Sequence, residues 1–95
     1  MELEFEGEVW FWRGPAPHHF VTVPDDVVDE LRTVAAALTY GWGCLPMHVR
    51  IGRTDFTTSL FPKDGGYIVP VKVAVRRAEG IKLGDRVTVR LRADL

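Results

Sequence analysis

Residues 56–92, FTTSLFPKDGGYIVPVKVAVRRAEGIKLGDRVTVRLR, read as most of a small barrel in one run. Phe56 to Phe61 forms a strand ended by Pro62, and Lys63-Asp-Gly-Gly66 is a glycine-permitted hairpin turn. Tyr67-Ile-Val69 pairs back and stops at Pro70. Beyond it two readings compete. VKVAV has strand propensity through its β-branched valines. Against that, Val71, Ala74, Val75 and Ala78 recur at i, i+3, i+4 and i+7, and a proline would break a central strand. The spacing predicts a short helix over 71–79, ended by Gly80. Ile81 to Asp85 is then a tight turn, and Val87, Val89 and Leu91 point inward from the last strand.

Working outward, residues 2–13 alternate strictly. Leu3, Phe5, Val9 and Phe11 share one face, and Glu2, Glu4, Glu6 and Glu8 share the other with Trp10 and Trp12. Gly7 falls on the apolar face, which signals a bulge or a close crossing. Two outward tryptophans call for a covering loop, helix or partner. Arg13-Gly-Pro-Ala-Pro17 turns the chain into a second strand, His18 to Val23. Pro24 opens a helix over 25–38, with acids at Asp25, Asp26, Asp29 and Glu30 and an apolar stripe of Val27, Leu31, Val34 and Leu38. Gly41 and Gly43 end it. From Leu45 the period returns to two, with Met47, Val49 and Ile51 on one side and His48 and Arg50 on the other, up to a turn at Gly52 to Asp55. Phe20-Val-Thr-Val-Pro24 before one helix echoes Tyr67-Ile-Val-Pro70 before the other. The expected fold is mainly β, a small closed barrel of about six to seven strands with two short helices capping it. It forms a single domain over 1–95.

The 95 residues are 46% hydrophobic, with 3 Trp, 2 Tyr and 5 Phe, enough for a core. A domain of this size buries only roughly 60–65% of its unfolded surface, which leaves room for a partner to complete the burial. The net charge of −1 denies the molecule the field that nonspecific nucleic-acid or anionic-membrane binding uses. Its distribution is uneven: residues 1–40 hold eight acids and two bases, residues 41–95 five acids and ten bases. The single Cys44 forms no internal disulfide, and no Cys/His spacing matches a zinc site. No cofactor is expected. Without a basic n-region, an apolar h-region or a long apolar run, the chain is expected in the cytoplasm.

Four motifs in order, Phe20-x-x-Val-Pro24, Thr58-Ser-Leu-Phe-Pro62, Tyr67-x-x-Pro70-x-Lys72 and Gly80-Ile-x-x-Gly84-Asp85-x-Val87-x-Val89, resemble a bacterial domain-of-unknown-function family of small barrels, sometimes found fused to a YdeI/OmpD-associated segment. The resemblance implies a double-split β-barrel related in architecture to the AbrB and MazE DNA-binding folds, and brings no activity or catalytic residue. The fused segment is expected to be absent, since the chain ends at Leu95 soon after the last strand.

The outer face of the last strand carries Arg86, Arg90 and Arg92. It reads either as a basic stripe for phosphates or as the partner of the glutamate stripe, and the second reading requires the first and last strands to be neighbours. Lys72 and Arg76 share a helix face. With Tyr67, Thr58 and Ser59 they would form a cationic, hydroxyl-lined pocket for a carboxylate or phosphate, against the plainer alternative of a solvated face neutralised by Glu79. Trp42 in Gly-Trp-Gly is either a stacking platform for a ligand or a plug over the barrel end. His18 and His19 point to opposite faces of a strand, so no metal site is expected. Cys44 with His48 lacks a visible activating group for nucleophilic chemistry.

The expected function is that of a noncatalytic binding module for a small anionic ligand or a protein partner, a homodimer included, with Thr58, Ser59, Tyr67, Lys72, Arg76 and Trp42 as ligand-binding residues. A nucleic-acid-binding regulator of the AbrB/MazE kind is the alternative, disfavoured by the acidic strand and helix. An enzyme would need a titratable pair that the sequence does not display.

Overall fold

The computed structural model describes residues 1–13, 18–38 and 43–93. Among them the elements run β1 (Glu2–Trp12), β2 (His18–Thr22), α1 (Asp25–Leu38), β3 (Leu45–Ile51), β4 (Thr54–Lys63), β5 (Gly66–Pro70), α2 (Val73–Glu79) and β6 (Arg86–Arg92). All six strands pair antiparallel and close into a barrel in the order β1-β2-β5-β4-β3-β6. No helix among the described residues is long and apolar enough to cross a membrane.

The period-two pattern becomes the inside and outside of the barrel. On β3, Leu45, Met47, Val49 and Ile51 are buried while Pro46 and Arg50 are exposed. Val9, Val21, Leu60, Val69, Val89 and Leu91 complete the interior from the other strands.

Closure depends on two strands that change neighbour along their length: β4 passes from β3 (residues 54–60) to β5 (residues 61–63), and β1 changes halfway along. Glu2 to Glu8 pair with β6, whereas Val9 to Trp12 pair with β2. At the change the amide of Val9 donates to the carbonyl of Asp85 and the amide of Gly84 donates back to the carbonyl of Val9. Gly7 lies at the crossing. A Cβ on it would stand 2.6 Å from Val21 Cγ1, so the close crossing expected of this glycine is real and depends on its missing side chain. Phe11, by contrast, was expected inside and is 42% exposed. Beyond Val9 the strand has left β6 and runs as a ribbon with β2 alone, so the inner face there has no opposite wall.

The helices sit at opposite ends of β4. Buried Val27, Val28 and Leu31 dock α1, and Arg32 Nη2 donates to the carbonyl of Gly65 in the β4–β5 turn at 2.6 Å. At the other end the carboxylate of Glu79 on α2 accepts from the Thr54 hydroxyl at 2.5 Å and the Arg53 amide at 3.3 Å. Gly80 stops α2 in the left-handed conformation, φ 63°, which glycine adopts without a Cβ clash.

Several boundaries move: β4 begins at Thr54, so the turn expected over Gly52 to Asp55 is only Gly52-Arg53, and Pro70 is itself the last residue of β5, opposite Phe20. The helix starts at Val73 rather than residue 71, because the Val71 amide is taken by the carbonyl of His19 and Lys72 is extended. Pro62 does not end β4, which runs on to Lys63. It lies opposite Tyr67 near the hairpin end, where one missing donor removes little of the ladder.

The charged stripes meet. Glu2, Glu4 and Glu8 stand opposite Arg92, Arg90 and Arg86, and Arg90 Nε approaches Glu4 Oε1 to 2.7 Å. The pairs are exposed, so each contributes about 0.2–1 kcal/mol and mainly fixes register.

Gly7→Ala is expected to destabilise the fold by about 1–3 kcal/mol, since the new methyl has to displace Val21 from the crossing. Denaturant unfolding measures it, and an unchanged midpoint would show that β1 and β2 can part at little cost.

Candidate functional site

Among the described residues no polar or charged side chain is buried. Recognition therefore falls to the barrel's surface, and one outer face stands apart. On β1, β2, β5 and β4 the outward positions include Trp10, Trp12, Phe20, Ile68 and Phe61, brought level by the pairs Trp10↔Phe20, Thr22↔Ile68 and Phe61↔Ile68.

Phe20 is the centre of this face. Its ring lies 5.5 Å from Trp10, 5.8 Å from Trp12, 6.2 Å from His18 and 6.3 Å from Phe61, centroid to centroid. Phe20 and Ile68 are 3% and 2% exposed, yet neither belongs to the core cluster inside the barrel. They form a second apolar cluster on its outside. The rings over it are less covered: Trp12 is 41% and Phe61 39% exposed. Neither helix covers them, since α1 packs on β3 and β5 and α2 on β4 at the barrel ends.

Polar groups orient the aromatic edge. Trp10 Nε1 donates to Thr22 Oγ1 at 2.9 Å, which holds the indole along the sheet. Lys63 Nζ stands 5.5 Å from the Trp12 ring centroid and 2.7 Å from Asp64 Oδ2. A recess of about 310 Å³ opens beside Trp10, lined also by Thr22, Asp25, Lys63, Asp64 and Tyr67.

The residues expected to form an anion pocket lie in different places. Tyr67 belongs to the recess beside Trp10, at the α1 end of β5. Lys72 and Arg76 lie beyond the other end of that strand, about 13 Å away for extended chain. Lys72 is exposed at the helix cap, and Arg76 Nε donates to the carbonyl of Val71 at 3.2 Å. Thr58 lines a separate recess of about 160 Å³ with Leu38, Met47 and Thr57, and Ser59 is half-buried opposite Pro46. α2 does pack on β4, the strand of Thr58 and Ser59. Trp42 lies outside the described residues. Phe20 and Phe61 were absent from the expected set. Their phase was legible, since Phe20 alternates with His18 and Thr22, and Phe61 with Thr57 and Ser59.

The family described as domain of unknown function, DUF1905, matches residues 5–91, so the chain belongs to that family. No curated protein matches the chain.

His19, half-buried beside the Phe11 ring, has its pKa lowered below the ordinary 6.5 by burial first, then by the positive charges of Arg76 and His18. A folded-state pKa below the unfolded one means that the unfolded chain binds the proton more readily. This stabilisation is complete above pH 6.5 and is lost as pH falls through the lowered folded value. His19→Gln is expected to flatten the decline of the unfolding midpoint between about pH 7 and 5, above most carboxylate titration. An identical decline in the variant would remove His19 as its source.

Proposed function

We propose that this member of the DUF1905 family is a noncatalytic binding module that works by protein contact through its outer aromatic face, with a second copy of the chain as partner. The observation that carries the reading is the burial of Phe20 outside the barrel beneath rings that are themselves about 40% exposed. A barrel needs no apolar cluster on its outer wall to fold, whereas an interface needs a dry centre with aromatic anchors.

The rim favours self-pairing. Lys63 lies beside Asp64 and Asp25, so the face offers both charge signs and can match itself under a twofold axis. Covering the remaining surface of one such ring contributes about 1 kcal/mol, and four rings across a twofold contribute about 4 kcal/mol. The loss of rigid-body freedom on association, about 4 kcal/mol or more, offsets this gain, so a dissociation constant on the order of 1 mM requires the rim contacts as well. The association is expected to be reversible and concentration-dependent.

Sedimentation equilibrium from about 10 µM to 1 mM tests this at the affinity just argued. The parent should pass from monomer to dimer. Trp12→Ser with Phe61→Ser should remain monomeric; because both rings also cover Phe20, the variant is expected to lose about 1–3 kcal/mol of stability yet keep a cooperative unfolding transition that shows it folded. A parent that is monomeric throughout, or a variant that dimerises equally, would overturn the reading.

A further inference from the structure

On the opposite outer wall, we infer that β1, β6, β3 and β4 carry a second binding site, for a compact oxyanion of the phosphate class. A groove of about 580 Å³ opens there, and its polar lining includes Glu2, Arg50, Asp55, Thr57, Arg90 and Arg92. Strand register arranges these groups in two rows. One runs Glu4, Arg90, Arg50, Asp55 across the four strands, and the next runs Glu2, Arg92, His48, Thr57. Both rows begin with an acid on β1 and have basic side chains on β6 and β3.

The middle of the first row is the informative part. Arg90 and Arg50 stand directly opposite each other on neighbouring strands, about 5 Å apart at the backbone, where like charges repel. Each guanidinium turns away to a carboxylate. Arg90 Nε reaches Glu4 Oε1 at 2.7 Å, and Arg50 Nη1 reaches Asp55 Oδ2 at a looser 3.4 Å, with Arg50 Nε also donating to the carbonyl of Gly52 at 3.3 Å. Arg92, in the second row, has no carboxylate within 4.0 Å among the described residues, although Glu2 is its ladder partner. Three guanidinium forks thus border one groove, two held by displaceable carboxylates and one without an ion pair among the described residues.

A tetrahedral oxyanion between them accepts from all three forks, whereas a single carboxylate satisfies two at best. It also relieves the repulsion between Arg50 and Arg90. The flanking acids set the size of the ligand. Arg50, Arg90 and Arg92 are balanced by Glu2, Glu4 and Asp55, so attraction is strong between the central strands and fades toward β1 and β4. A long polyanion crossing the sheet meets those carboxylates, and the balanced charge gives it no long-range field.

The test titrates inorganic phosphate, methyl phosphate and acetate into the full chain at constant ionic strength, following the arginine Nε–H resonances. Saturable shifts confined to Arg50, Arg90 and Arg92 are expected, with phosphate bound more tightly than acetate. If the ester saturates as well as the free ion, the ligand is a phosphoryl group on a larger molecule; if only the free ion does, it is inorganic phosphate. Arg92→Gln should weaken binding roughly tenfold, the scale of a lost charge-assisted contact. Glu4→Gln should strengthen it several-fold by releasing Arg90, a gain that a merely structural ion pair would not produce. Shifts spread over all surface arginines without saturation, or an unchanged affinity in Arg92→Gln, overturn the site. Tighter binding of a single-stranded oligonucleotide, with steep loss on added salt, overturns its restriction to compact anions.

Discussion

A closed barrel leaves no free strand edge, and here closure rests on two strands that each serve two neighbours in turn, β4 (β3, then β5) and β1. β1 spends its first half on β6 and its second half on β2, with Gly7 at the change packed against Val21. A side chain at that point would have to displace the buried Val21 side chain of β2 from the crossing. The amide exchange between Val9 and the Gly84–Asp85 turn covers the groups that β1 releases when it parts from β6. The interior that follows is entirely apolar among the described residues, because every strand presents its alternate aliphatic positions to the same axis.

Emptying the interior of polar groups moves all chemistry to the outer walls, and the switch of β1 makes those walls unlike. The half of β1 that pairs with β6 carries glutamates, and the half that pairs with β2 carries tryptophans. One wall is therefore a charged ladder and the other an aromatic sheet. On the charged wall the glutamates select the register of the last strand, since a slip of one residue would turn the arginines to the core side. On the aromatic wall Phe20 draws rings from three strands into a cluster that the barrel itself does not require.

The two walls are proposed for different kinds of recognition. Ring packing is nondirectional and suits a broad protein contact, whereas guanidinium forks are directional and suit a small oxyanion. The two proposed sites share no residue, so they are separable by substitution. Apart from Asp25 of α1 at the rim of the aromatic wall, the helices take no part in either wall. They fill the barrel ends, and their polar anchors, Arg32 on the Gly65 carbonyl and Glu79 on Thr54, tie them to the two turns of β4.

What the sequence determined by itself was everything set by local repeat. Period two placed the glutamates outward and the valines inward; Pro70 with the spacing of Val71, Ala74, Val75 and Ala78 announced the second helix; and the balance of glutamates and arginines foretold that the first and last strands adjoin. Adjacency itself was a tertiary decision. Glu4 and Arg90 are 86 residues apart, and only their complementary charge hinted at the contact. Nothing local indicated that Phe20 and Phe61, on strands separated by β5, would share a cluster, or that Arg50 would stand against Arg90. The same closure placed Tyr67 and Lys72 at opposite ends of a five-residue strand, although the chain brings them close in number. Backbone geometry dictates which way each side chain points, residue by residue. Which side chains then meet depends on how six strands close on one another, a condition satisfied only by the whole chain at once.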